Sequence, residues 1–562
     1  MKRFRISLRG LWAIAAGLML AVSFPRLNIA GFAWIAPGMI LLGAIGKQGG
    51  AAFRIGYLAG FAHYLASLYW LLLIPVPLAW CWAKVLGWLA LAAFLSLYMG
   101  TWVWLCWKAF PARISNDPSA RPVPYWAGQF MGLIWSQRMA WCLFGAALWV
   151  GLDMILARLF GGYPWDVLGV SQYRIVPLIQ IAAYTSVHGV SFIVVFSSLA
   201  LVCAAAAIIT KPAMRSAWVG QVIVQMTLVG AIYAAGYHKL LQPVEKGPEV
   251  TLALIQPSIP QTVIWDETAS ARRFDELMKL SAQAISARPD IVVWPEAAVP
   301  KMVKWDRDTY YAITDFARTN GVWMIIGSDD GDPAPGEKTW KGAKFYNSSF
   351  LISPEGKIAA QYKKRKLVIF GEYVPPLLKI FTPVTGSFTP GDGPVPFRLP
   401  ELNITLSTLI CFEDVFPQVA REYVDDDTDF LVNLTNNGWF GEAAAQWQHA
   451  ATAVFRAVEN GVPLVRCSNN GLTCLVDAAG RLQQIFRTAD GSIYGAGFML
   501  ARVPVLGPGE KRAATFYRAH GDWFGWGCLV LAVGRVLVAW RKREHFPVGD
   551  QEVQAAGENP KS

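Results

Sequence analysis

Long apolar stretches separated by short polar breaks dominate the chain up to about residue 240, and the pattern returns once near the end. Stretches long enough, or nearly so, to cross a hydrocarbon core of about 30 Å run over 11–25, 31–46, 55–74, 86–107, 139–159, 188–209, 217–236 and 523–540. They predict eight membrane crossings, the second of them short. The apolar piece 126–137, "WAGQFMGLIWSQ", is too short to span and reads as interfacial.

From about 248 to 515 the pattern changes to short β-branched runs alternating with helical periodicity, which predicts an α/β domain. Strands are expected at "VTLALIQ" (250–256), "DIVVWPE" (290–296), "VWMIIGS" (322–328), "ITLSTLICFE" (404–413) and "FLVNLTN" (430–436). A hairpin over 348–364 turns at Pro354-Glu355-Gly356, and a last hairpin covers 463–486. Helices are expected over 267–287, 306–319 and 445–460. Segment 372–397, rich in Pro, Gly and aromatic residues, reads as a long loop of the functional kind. The predicted organisation is a transmembrane helical domain over 1–240 with seven crossings, an α/β domain over 248–515, an eighth helix over 522–541 and a cytoplasmic tail over 542–562.

Composition supports a membrane setting: 54% of the 562 residues are hydrophobic and 25 are Trp, too apolar for a soluble protein. A net charge of +11 would suit nucleic acid, but the cations cluster between apolar segments. They fall at Lys2, Arg3, Arg5 and Arg9, at Lys47 and Arg54, at Lys108, Arg113, Arg121 and Arg138, at Lys211 and Arg215, and at Arg541, Lys542 and Arg543. With eight crossings every cluster lies on one side. The positive-inside rule makes that side the cytoplasm and places 237–522 outside it, with no nucleic-acid partner implied. The opening "MKRFRISLRGLWAIAAGLMLAVSF" has no clear A-x-A site after its apolar run and reads as an uncleaved first helix. Five of the eight cysteines (Cys81, Cys106, Cys142, Cys203, Cys528) lie in or beside apolar segments and none forms a C-x-x-C pair, which leaves a zinc or redox site little support.

Three strand ends each deliver a polar residue out of apolar surroundings: Glu296 in "VVWPEAAVP", the cluster Lys363, Lys364, Arg365 and Lys366 followed by Glu372, and Cys411 in "LICFEDVF". Taken singly they read as a turn residue, a solvated face and a core thiol. Cys411 is followed by Glu413 and Asp414, and neighbouring negative charge raises a thiol pKa. A reactive Cys411 therefore needs a base and a cation from elsewhere, which a carboxylate and a lysine supply. His449 in "QWQHA" reads as structural. Asp153 and Arg158, inside the fifth crossing, are expensive in lipid and read as an internal ion pair or a substrate-facing site. In "CSNNGLTC", a two-residue turn at Asn470-Gly471 sets Cys467 opposite Cys474 within disulfide reach, although two reduced core thiols are the simpler expectation.

The order Glu, Lys, Cys at strand ends resembles the nitrilase (carbon-nitrogen hydrolase) superfamily, whose fold is an αββα sandwich. Insertion of the domain between seven crossings and an eighth is similar to the membrane-embedded branch, the apolipoprotein N-acyltransferase family. "KKRKLVIFGEYVP" aligns with that family's Y-x-K-x-x-L-V-P-F-G-E, which singles out Lys364 as catalytic lysine and Glu372 as second acid. "ICFED" matches its C-Y/F-E and gives Cys411, Phe412 and Glu413; "NLTNNGWFG", "QWQH" and "RCSNNG" match later signatures, and "IPQTVIWD" places Trp265 at a functional tryptophan. Ile369 replaces the usual Pro, and Phe412 stands where tyrosine is common.

The resemblance implies two-step acyl transfer on the periplasmic side of the bacterial cytoplasmic (inner) membrane, without cofactor or metal. Glu296 acts as base, Cys411 as nucleophile, and Lys364 with the Phe412 N–H holds the oxyanion. The donor is a phospholipid of the bilayer and the acceptor is the free amine of a diacylglyceryl-modified apolipoprotein. One alternative keeps the same residues in a membrane-tethered amidase acting on a small amide. Another is a non-enzymatic receptor or transporter, which does not require the three residues to converge.

Overall fold

The computed structural model describes residues 7–543, except 77–80, 112–132, 211–212, 243–246, 265, 338 and 375–386. Its apolar helices are α1 (Leu8–Val22), α2 (Ala36–Gly43), α3 (Gly49–Ser67), α4 (Cys81–Lys108), α5 (Trp135–Leu156), α6 (Ala182–Thr210) and α7 (Val219–Leu241). The longer helices that follow are α8 (Ser270–Ile285), α9 (Arg307–Asn320) and α10 (Ala444–Asn460), and then the apolar α11 (Trp523–Arg543). Among the described residues five helices, α4, α5, α6, α7 and α11, are long and apolar enough to cross a membrane.

The expected second crossing is not one helix. Residues Ala30–Trp34 form a 3₁₀ turn and α2 has eight residues, a rise of about 12 Å. Pro37 fixes the break, because proline is accepted in the first turn of a helix and not in its interior. The segment still runs from one end of the bundle to the other. Pro25 O accepts a bond from Gln448 of the sheet domain at 3.0 Å, whereas Ile45 O accepts one from Arg9 at the far end of α1.

That far end gathers the cations. Lys108 lies over the Trp540 ring, Arg535 donates to Ala109 O, and Arg138 donates to Ala217 O. The end facing the sheet domain is held by side chains instead. Gln448 donates to Pro25 O and Ser67 O and accepts from the indoles of Trp70 and Trp165, all at 2.9–3.1 Å.

The sheet domain contains two six-stranded sheets. The first comprises β1 (Glu249–Gln256), β2 (Ile291–Val293), β3 (Trp323–Asp332), β4 (Lys344–Ile352), β5 (Ile358–Lys363) and β12 (Gly497–Pro504), in the order β12-β1-β2-β3-β4-β5. The second, in the order β11-β10-β9-β8-β7-β6, comprises β6 (Pro396–Leu399), β7 (Ile404–Ile410), β8 (Phe430–Thr435), β9 (Leu464–Ser468), β10 (Cys474–Val476) and β11 (Leu482–Ile485). Neighbours β1-β2-β3 and β7-β8-β9 are parallel and the other pairs antiparallel.

The sheets pack face to face: Cys467 Sγ of β9 lies 3.3 Å from Ile255 O of β1 and 3.4 Å from Val293 O of β2. Leu277, Ala284, Ile313 and Ala317 of α8 and α9 close the outer face of the first sheet. Helix α10 closes the second sheet and packs in turn on α6, so every residue of α10 except Trp447 is buried. The result is an αββα sandwich whose second helical layer lies against the membrane helices.

Strands β6 and β12 escape the sequence reading. Both are edge strands with alternating burial, and an edge strand needs only half its residues apolar. The last hairpin is also a three-stranded meander, and its register separates the two cysteines: Cys474 lies opposite Arg466. Successive residues of a strand point to opposite faces, so Cys467 and Cys474 do not meet across the hairpin, and both are free thiols.

Candidate active site

Glu296 lies three residues past the end of β2, in a turn that puts the next residue, Ala297, in the left-handed region (φ 49°). Strand β3 passes this turn closely at Gly327, where a Cβ would stand 2.2 Å from Pro295 O; only glycine fits. Lys364 follows β5 and is buried. Its Nζ donates to Glu296 Oε1 at 3.1 Å and to Glu372 Oε1 at 2.8 Å. Asn347 Nδ2 of β4 donates to the same two oxygens, at 2.8 and 2.9 Å. The other oxygens are held by backbone, Glu296 Oε2 by Asn436 N and Glu372 Oε2 by Val368 N. Burial pulls the Lys364 ammonium down, but the two carboxylates and the Cys411 thiol outweigh it and hold its pKa well above the ordinary lysine value.

Cys411 ends β7 in the left-handed region (φ 52°), a conformation costing roughly 1–2 kcal/mol for a residue with a Cβ. Donors from two elements hold it there. Asn433 Nδ2 reaches Cys411 O at 3.0 Å and His449 Nε2 reaches it at 3.2 Å. The thiol is pushed up to about 12, first by burial and then by the Glu296 charge, against the pull of Lys364 and the Thr435 hydroxyl. At neutral pH the resting sulfur is therefore a thiol, and it needs a base.

The two acids behind Cys411 have other partners. Glu413 accepts from Tyr362 Oη and from the backbone N–H groups of Ile410, Arg365 and Lys366. It thereby ties the turn carrying Lys364 to the end of β7. Asp414 pairs with Arg466 at 2.7 Å and with His449 Nε2 at 2.7 Å. Two acceptors at Nε2 require that nitrogen to carry the proton, while burial and Arg466 push the imidazole pKa down. His449 holds the Cys411 turn in place. The Phe412 ring packs against Tyr163, Trp165 and Phe416, bringing the loop between α5 and α6 to the thiol.

Glu296, Lys364, Glu372 and the Cys411–Glu413 turn thus converge, as does Asn347, which no local motif announces. Trp265 lies outside the described residues, as do 375–386 of the expected loop, 112–132 with Arg113, Arg121 and most of the apolar piece 126–137, and the tail after 543. A cavity of about 830 Å³ opens beside the cluster, lined by Ala297, Asp329, Phe345, Glu372 and Phe388 among others. Asp153 and Arg158 are not each other's partners. Arg158 pairs with Asp522 and stacks on Trp526, while Asp153 Oδ2 is buried without a hydrogen bond beside a small cavity that also meets His63, Tyr64 and Asp166.

Two family models match the chain: carbon-nitrogen hydrolase over residues 251–493, and the apolipoprotein N-acyltransferase N-terminal domain over residues 16–200. Among curated proteins, an apolipoprotein N-acyltransferase of Geobacter metallireducens is 34% identical over 547 residues, covering 95% of each chain. One from Allorhizobium ampelinum is 29% identical, covering 88% of this chain and 91% of its own, and one from Rhizobium rhizogenes is 31% identical over 77% of each. Among solved structures, a variant of an amidase from Nesterenkonia sp. AN1 with an acetamide moiety added at its active-site cysteine aligns at 18% identity. Its TM-score is 0.35, over 47% of this chain and 94% of that one.

Proposed function

This chain belongs to the apolipoprotein N-acyltransferase family, and from that membership we propose that it moves an acyl chain from a membrane phospholipid, through a thioester on Cys411, to the free N-terminal amine of a diacylglyceryl-cysteine lipoprotein. The observation that carries the reading is the position of Lys364, buried between Glu296 and Glu372 and acting electrostatically on the Cys411 thiol.

In the first step Glu296 takes the Sγ proton and the thiolate attacks the ester carbonyl carbon. Lys364 and the Phe412 N–H stabilise the oxyanion. Collapse expels the lysophospholipid alkoxide, which recovers the proton from Glu296. In the second step the acceptor amine attacks the thioester, Glu296 removes a proton from nitrogen, and the departing thiolate takes that proton back. The product is an amide.

A lipid-facing role accords with a sandwich clasped to the membrane helices through Gln448. We place the sandwich on the periplasmic side of a bacterial inner membrane, because Arg9, Lys108 and Arg138 lie at the other end of the bundle. A reporter active only outside the cytoplasm, fused after Gly480, should be active; an inactive fusion there would reverse the orientation.

Mass spectrometry tests the chemistry. Protein incubated with phospholipid alone should carry an acyl group on Cys411 that neutral hydroxylamine releases, and a diacylglyceryl peptide with a free amine should discharge it into an amide. Discharge by water at the same rate would indicate the amidase reading instead.

A further inference from the structure

The acceptor amine presents a proton problem that the three central residues leave open. An α-amine has a pKa of about 7.7–8.0 and arrives largely as an ammonium. Conversion of an ammonium and a thioester into an amide and a thiol releases one proton beyond the one that Glu296 returns to sulfur. Glu296, Glu372 and Glu413 are each engaged by two or more donors. Asp329 is different: its carboxylate lines the 830 Å³ cavity beside Glu372, and no hydrogen bond or ion pair to it is found among the described residues.

We propose that Asp329 is the ammonium-binding and proton-accepting residue for the acceptor amine, in a cavity adjoining the thioester; this rests on the acyltransferase reading above. The ammonium docks on the Asp329 carboxylate and gives up one proton to it. The freed lone pair then attacks the thioester, and Asp329 passes its proton to solvent through the cavity.

Three further observations support the assignment. Asp329 is the cross-strand partner of Asn347, so the two side chains share a face with Cβ atoms about 5 Å apart. Asn347 Oδ1 is buried without a hydrogen-bond donor, an acceptor that a protonated Asp329 can serve. Neither cation lining the cavity pairs with Asp329: Lys301 is paired with Asp306, and the Arg273 guanidinium donates to the backbone carbonyls of Val263 and Ile264. Burial and the charges of Glu296 and Glu372 push Asp329 up to about 7 against the pull of Lys364, which suits proton exchange near neutrality. The aromatic wall of Trp305, Trp340, Phe345 and Phe388 suits a cation, since ring faces attract ammonium groups.

The test measures the two steps separately on full-length protein in detergent. Asp329→Asn should form the thioester at the wild-type rate from donors with either an ethanolamine or a phosphoglycerol headgroup. Its amide transfer should fall about tenfold at pH 6.5 and less than about twofold at pH 8.5, where the amine is free without help. Asp329→Glu should recover part of the loss. Transfer by Asp329→Asn with the wild-type pH profile would overturn the assignment, as would equal loss of both steps. Thioester loss confined to the ethanolamine donor would give the cavity to the donor headgroup instead. Absence of any thioester in wild-type protein would refute the acyltransferase reading itself, a distinct result.

Discussion

Glu459 and Ser186, 273 residues apart, meet where the sheet domain joins the membrane bundle: Glu459 Oε1 accepts from Ser186 Oγ at 2.8 Å. The same oxygen accepts from Val187 N at 2.8 Å, just after the break at Ser186 (φ 61°, ψ −176°) that ends regular helix geometry at the start of α6. A carboxylate from α10 therefore caps a membrane helix, and Arg456 neutralises it. Glu459→Ala leaves two orphaned donors and an unpaired buried guanidinium, and should cost about 3–5 kcal/mol. Glu422→Ala breaks the solvent-exposed pair with Arg365 and should cost at most about 1 kcal/mol. Thermal unfolding in detergent compares them; equal losses would show that the cap contributes little.

Lys364→Arg should abolish transfer although charge is kept. The ammonium fits a buried space bounded by Glu296, Glu372 and Asn347, which a planar guanidinium cannot enter without displacing them. Thioester formation should fall at least a hundredfold while the folded yield is retained. Near-normal thioester formation would remove Lys364 from the reaction.

Glu296→Gln preserves shape and removes the carboxylate proposed as the base, so thioester formation should fall about a hundred- to ten-thousand-fold. Because burial, the larger cause of the raised Cys411 pKa, persists without the Glu296 charge, the residual rate of this variant should rise steadily with pH from 7 to 10 as thiolate forms unaided. A rate flat over that range would mean that another group takes the proton.

Asp329 also links pH to stability. Its folded-state value of about 7 exceeds the ordinary carboxylate value near 4, so between those limits the folded state binds more protons than the unfolded state. Stability from this group is greatest in acid and is lost as pH rises through the window. Asp329→Asn should therefore gain thermal stability over wild type progressively between about pH 4 and 7 and hold that gain above it. A difference independent of pH would argue that the carboxylate is not perturbed.

Glu413→Gln puts an amide where four donor groups converge. At least one N–H or the Tyr362 hydroxyl must lose its acceptor. The turn carrying Lys364 should loosen, lowering kcat more than raising KM, without the pH rescue expected of Glu296→Gln. Wild-type kinetics would show that the turn is held by other contacts.

What the sequence determined by itself was periodic or punctuated locally. Apolar length gave the five helices long enough to cross a membrane, alternation bounded by turn residues gave the inner strands, and polar residues ending three apolar runs marked Glu296, the cluster Lys363 to Lys366 and Cys411, with Lys364 picked from that cluster by the family resemblance. Pro37, which breaks the second apolar stretch, was equally visible in the chain. The rest depends on contacts between segments far apart in sequence. Glu413 and Asp414 looked like charges that suppress the Cys411 thiolate, but Tyr362, Arg466 and His449 take them up. Burial and Glu296 raise the thiol instead. The Cys467–Cys474 geometry turned on register, and a one-residue slip reverses the face of every side chain while leaving local composition unchanged. Asn347 and Asp329 acquire their surroundings only because β3 and β4 pair beside the Glu296 turn, which places a bridging amide and an unpartnered carboxylate next to residues tens of positions away. Hydrogen bonds and charges act over a few ångströms of space, and local sequence does not encode which distant strands share that space.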